Sequence, residues 1–178
     1  MKVGYQKSGW NTEAFEQIET QFKDNLILVD DFKRELTNKT IEAAVSSLKE
    51  FGFPNPNSDL IIAALFERLH DSNEIDSWSP EDIPLVGSQT YGLVCARENL
   101  NLRKQLAQFN HEHTMRCSNI ERQLLKAHDI EQAYCYIDRV FRYHLVYAIP
   151  QKGVLEKHHM VHNTFVGFVD QLKKNHSL

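Results

Sequence analysis

Cysteine is scarce in this chain. Its three cysteines, Cys95, Cys117 and Cys135, are too few and too scattered for a disulfide framework or a Cys-x-x-Cys metal clip. All three stand at apolar positions, where free cysteine behaves as a small hydrophobe, and this points to a reducing compartment. Glycine is equally thin at seven residues. Neither a glycine-rich phosphate loop nor a Gly-x-Ser-x-Gly elbow is present, and no cysteine has the local signature of an activated thiol. No run approaches the ~20 apolar residues of a membrane span, and the N-terminal stretch has no apolar core of signal-peptide length. A basic excess is missing too. The net charge of -4 and pI near 6.1 give no electrostatic footprint for nucleic acid or an anionic membrane. The expectation is a cytoplasmic protein with no cofactor and no catalytic signature, read as non-enzymatic.

What the chain does contain is apolar periodicity. Asn11 or Thr12 can cap a helix whose Ala14, Phe15, Ile18 and Phe22 share one face. Leu26–Val29 reads as a buried helix continuation or an extended connector. Ile41, Ala44, Val45, Leu48 and Phe51 predict a second helix stopped by Gly52. Leu60, Ile61, Ala64, Leu65 and Leu69 predict a third, central one after the Phe53–Asn57 break, where two prolines forbid helix. Ser79-Pro80-Glu81-Asp82 describes a single capped helical turn. Asp129 with Gln132 has capping-box spacing ahead of Ile130, Ala133, Tyr134, Ile137, Phe141, His144, Leu145 and Ala148. Past Gly153, Val154, His158, Val161, Phe165, Phe168, Val169 and Leu172 stripe a last helix, antiparallel to the one before. The predicted fold class is all-α, with an N-terminal helical module over 1–88 and a long helix plus helical hairpin over 89–178.

The organising stretch is 91–127. Cys95, Asn99, Leu102, Leu106, Phe109, His113, Cys117, Ile120 and Leu124 follow steps of three and four, a coiled-coil seam with one stutter at His113–Cys117. Its interaction residues are Asn99, Leu102, Leu106, Phe109, His113, Ile120 and Leu124. Asn99 at an a position favours a parallel two-stranded register, and with it a homodimer through 91–127.

Nine histidines make metal the first chemistry to test. Glu67/His70 and Glu156/His159 both have Glu-x-x-His spacing, which on helices places two ligands on one face as in di-iron bundles, with Glu42 and Glu121 available as further carboxylates. His158 and His162, four apart, suit a helical zinc pair completed by His144, or by His111 and His113. A helical-bundle metal protein is therefore the alternative to a protein-binding one.

Ile41-Glu42, Leu48-Lys49-Glu50-Phe51-Gly52-Phe53-Pro54 and Asp59-Leu60-Ile61-Ile62-Ala63-Ala64-Leu65, followed by Glu98-Asn99-Leu100 to Phe109, resemble the N-terminal region of the afadin- and alpha-actinin-binding protein family. The resemblance covers about seventy residues and implies a divergent calponin-homology-like module leading into a coiled coil. It also implies an adaptor at the centrosome, cytoskeleton or cell junction, linked to microtubule anchoring, with protein partners and no catalytic residues.

Overall fold

The computed structural model describes residues 1–51, 61–96 and 98–176. It is a mixed α/β protein. In chain order the elements are β1 (Val3–Tyr5), α1 (Thr12–Phe22), β2 (Leu26–Leu28), α2 (Phe32–Thr37), β3 (Ala43–Ser47), β4 (Ile61–Leu65), α3 (Ser72–Asp76), β5 (Tyr91–Cys95), α4 (Leu100–Ala107), α5 (Glu112–His128), β6 (Gln132–Ile137), β7 (Tyr143–Gln151), β8 (Val154–His162) and α6 (Phe165–His176). They form two compact units, each assembled from two stretches of chain: 1–66 with 90–111, and 67–89 with 112–178. No helix of the described residues is long and apolar enough to cross a membrane.

The first unit is a five-stranded sheet in the order β2-β1-β3-β5-β4, with β1 parallel to both β2 and β3 and the β3–β5 and β5–β4 pairs antiparallel. Asn11 caps α1 by accepting from the Ala14 N–H at 2.8 Å, and Ala14, Ile18 and Phe22 are buried, as the sequence predicts. Successive strand residues point to opposite faces. Ala43 and Val45 therefore pack with α1 and α4, while Ala44 packs with Val29, Ile41 and the α2 residues Phe32 and Leu36. The chain passes from β1 through α1 to β2, and from β2 through α2 to β3 on the other side of β1. Two crossovers of one hand that leave in opposite directions put their helices on opposite faces, as here.

At the carboxyl ends of β1 and β3 the two loops touch at Gly9, whose φ is +83°; a Cβ there would lie 2.5 Å from Glu50 Cγ and 3.2 Å from Ser47 Oγ. The loop itself is fixed, because Trp10 Nε1 donates to the Gln6 carbonyl and the Trp10 ring stacks on Tyr91 at 4.6 Å. Gly9→Ala is expected to cost about 1–2 kcal/mol from the left-handed backbone alone, with the Glu50 contact added. Urea denaturation measures it, and an unchanged midpoint would contradict this packing.

The second unit is a three-stranded antiparallel sheet, β6-β7-β8. Lys152 (φ 52°) and Gly153 (φ 80°) form its two-residue β7–β8 turn, with the two positive φ values that a type I′ hairpin needs. One sheet face packs on α5 and α6. The other presents Tyr134, Tyr136, Val146 and Ala148 to Ile75 and Ile83, with Trp78 and Leu155 at the margin.

These facts correct the all-α expectation. Residues 43–47, 61–65, 132–137 and most of 143–162 are strands where helices were predicted. Strands buried on both faces read as continuous apolar runs, and such runs also satisfy a three-four pattern. The coiled coil is corrected as well. Cys95 ends β5, Asn99 is the N-cap of α4 and accepts from the Leu102 N–H at 3.2 Å, and α4 stops at Ala107, five residues before α5 begins. Leu102, Leu106 and Phe109 pack in the first unit, whereas His113, Ile120 and Leu124 belong to the second. The Phe53–Asn57 break and Leu60 lie outside the described residues.

Candidate functional site

The site is built on the turn from β6 to β7. Asp138 follows the last residue of β6, and its Oδ1 accepts the backbone N–H groups of Val140 (3.0 Å) and Arg142 (2.9 Å), an Asx-type turn. The turn closes with Phe141 in the left-handed region at φ 62°. The second carboxylate oxygen, Oδ2, receives Arg142 Nε at 2.7 Å and His144 Nε2 at 2.8 Å. Burial alone would raise the Asp138 pKa. The donors from His144, Arg142 and Val140 outweigh it and hold the carboxyl well below its usual range. Asp138 is thus an anion, and the nitrogen of His144 that faces it carries a hydrogen. This assigns the tautomer from the network.

Register then brings in the other groups. Tyr136 lies directly opposite His144 across β6–β7, and the two rings stack at 4.6 Å and 14°. Val146 pairs with His159 of β8, which makes His144 and His159 diagonal neighbours on one face, within reach of their rings. His144 Nδ1 and His159 Nε2 are 2.8 Å apart. Since His144 gives its Nε2 hydrogen to Asp138, its Nδ1 accepts from His159 Nε2–H. The free nitrogen of His159, Nδ1, then faces Asp76 Oδ1 at 3.7 Å. His144 is buried; His159 reaches the surface. Burial, His144 and Lys157 lower the His159 pKa against the opposing pull of Asp76, so its Nδ1 is an open base at neutral pH.

Asp76 is the last residue of α3, and its position is set from β8. Lys157 Nζ donates to the carbonyls of Ile75 (3.1 Å), Asp76 (3.2 Å) and Trp78 (2.9 Å), a cation at a helix C-terminus. Beside this chain stands a second polar group. Arg68 and Glu121 form an ion pair, with side chains 5% and 2% exposed. Glu121 also accepts the Cys135 N–H at 2.7 Å, Arg68 lies over the Tyr134 ring at 4.7 Å, and Tyr134 Oη meets His70 Nε2 at 2.6 Å.

The metal constellations expected from sequence are not assembled. On a strand, residues three apart point to opposite faces, so Glu156 and His159 diverge. His158 and His162 share a face of β8, but four residues along a strand span about 13 Å. His158 stacks on Tyr147 at 5.2 Å, and His113 Nδ1 meets Tyr143 Oη at 2.6 Å. Glu67 lies between β4 and α3, His111 precedes α5 with its N–H on the Ala64 carbonyl, and Glu42 belongs to the first unit. Among the described residues no group of three or more His, Cys, Asp or Glu side chains is arranged to hold a metal ion. Sequence reasoning placed Glu121 among polar neighbours, and it is buried. Asp138 and Asp76 were missed, because only the β6–β7 turn and the docking of α3 on Lys157 bring them to the histidines.

In comparisons with known proteins, no family model matches the chain and no curated protein matches it. The resemblance of the Thr40–Leu69 region to the afadin- and alpha-actinin-binding family therefore stands on the residues quoted for it.

Proposed function

We propose that this protein is an enzyme of general acid–base chemistry. In this reading His159 takes a proton from a bound compound, with His144 and Asp138 behind it. One observation carries the reading: two imidazoles joined at 2.8 Å, the inner one on an ionised carboxylate and the outer one with a free nitrogen at the surface. A proton arriving at His159 Nδ1 leaves its bonding electron pair on the substrate. The hydrogen on His159 Nε2 can then cross to His144 Nδ1, which places the positive charge against Asp138. Asp138 stays ionised throughout, as the orienting carboxylate of a triad does. Asp76 faces the new N–H and holds the loaded state. The alternative proposal, an adaptor with a cytoskeletal partner, keeps the family resemblance as its support but loses the seam residues as one surface.

Two model reactions test the acid–base reading: hydrolysis of p-nitrophenyl acetate, and deuterium exchange from D₂O into acetylacetone. At least one should be accelerated, and His159→Gln should lower that rate by about 10²–10⁴. The rate should fall as pH drops through the lowered His159 pKa, because the base form acts. Acceleration of neither reaction, or full activity in His159→Gln, would count against an acid–base enzyme.

A further inference from the structure

Tyr136 is completely buried, and its hydroxyl has no hydrogen-bond partner among the described residues. Neighbouring tyrosines of the same unit are satisfied: Tyr134 bonds His70, and Tyr143 bonds His113. An orphaned buried hydroxyl is unfavourable, and native proteins retain few. Its ring cannot swing away to find a partner. It is stacked on His144, meets His70 edge-on at 5.7 Å and 86°, and lies along Tyr134 at 6.1 Å. The hydroxyl is therefore held in place and unpaired, one ring away from the His144–His159 pair.

We propose that the Tyr136 hydroxyl is the hydrogen-bond donor to an uncharged carbonyl oxygen (ketone, ester or amide) of a compound bound beneath α3 beside His159. The inference rests on the acid–base reading and names its substrate class. Burial first, then Asp76 and Asp138, push the Tyr136 pKa upward, so the phenol keeps its hydrogen and can donate. The same two carboxylates oppose an anionic ligand, which selects a neutral acceptor over a carboxylate or phosphate. The cover is thin. Ile75 of α3 and Ile83 pack on this face, and Lys157 fastens the C-terminal end of α3 through the carbonyls of Ile75, Asp76 and Trp78.

Tyr136→Phe tests this because it deletes only the hydroxyl. The melting temperature should rise by about 2–4 °C, since a buried unpaired group is removed. Saturation-transfer NMR with cyclohexanone, ethyl acetate and N-methylacetamide should show at least one of them bound to the intact protein. That compound should bind about tenfold more weakly to Tyr136→Phe, and sodium acetate should not bind. His159→Gln should keep carbonyl binding, so that loss of turnover without loss of binding separates the base from the donor. A lower melting temperature in Tyr136→Phe would mean that the hydroxyl has a structural partner. That result, absence of binding by all three carbonyl compounds, or equal binding by the variant overturns the proposal.

Discussion

Glu121→Leu is expected to destabilise the protein by about 3–5 kcal/mol, because it leaves the Arg68 guanidinium buried without its counter-charge. The pair is enclosed, with side chains 5% and 2% exposed, and Glu121 also accepts the Cys135 N–H at 2.7 Å. Burial pushes the Glu121 carboxyl up, against the Arg68 charge and the Cys135 N–H. Arginine does not give up its proton in a protein, so the ion pair is the neutral-pH state. Glu121→Gln keeps an acceptor for the Cys135 N–H and should cost less than Glu121→Leu. Pairing Arg68→Met with Glu121→Leu should recover much of the loss, since two charges then leave the interior together. Urea denaturation of the parent and the three variants gives the ranking. A Glu121→Leu protein within 1 kcal/mol of the parent would mean that the pair is hydrated and not buried.

The second large effect belongs to Asp138→Asn. An asparagine oxygen can still accept the Val140 and Arg142 N–H groups that shape the turn. It offers no charge to Arg142 Nε or to His144 Nε2, and hydrogen bonds to charged groups contribute about 1.5–3 kcal/mol. The expected loss at pH 7 is about 2 kcal/mol. The pH dependence has a definite sign. The folded Asp138 pKa is depressed below the ordinary value of about 3.9. Its contribution is therefore fully present above that value and is lost as pH falls toward the folded pKa. The parent should lose stability on acidification below about pH 4, and Asp138→Asn should lack that part of the acid limb. Denaturation midpoints at pH 7, 5, 4 and 3 decide it, and parallel curves for the two proteins would contradict it.

How much of this was legible in the sequence depends on where the information lies. The first helix was readable because Asn11 caps it and Ala14, Ile18 and Phe22 share a face, all within one short stretch of chain. The Ser79-Pro80 turn was readable for the same reason, and it carries the capping box with Asp82. The strands were not. Tyr134, Tyr136, His144, Val146 and Ala148 alternate with period two, but their partners on the opposite face are also apolar. A three-four stripe could therefore be drawn through residues of both faces, as Ala133, Tyr134 and Ile137 show. Tyr-Cys-Tyr-Ile and Tyr-His-Leu-Val-Tyr are rich in aromatic and β-branched residues, and that enrichment was the signal available for strands. The seam over 91–127 failed because its three-four spacing is produced by the end of a strand and two helices in different units. The site was the least legible part. Asp138 and His144 are six residues apart, and His159 is fifteen further on. No spacing rule joins them until Tyr136 pairs with His144 and Val146 with His159.

The central claim is that His144 and His159 share one hydrogen, with Asp138 fixing its direction. Long-range ¹H–¹⁵N NMR of the histidine rings from pH 5 to 9 tests it most directly. The account predicts that His144 Nε2 stays protonated throughout and that His159 Nδ1 carries the free lone pair at pH 7. It also predicts that Asp138→Asn moves the ring ¹⁵N signals of both histidines together at pH 7. A His144 ring that carries its hydrogen on Nδ1, with Asp138→Asn leaving the ¹⁵N signals of both rings unmoved, would contradict the shared hydrogen and the acid–base function built on it.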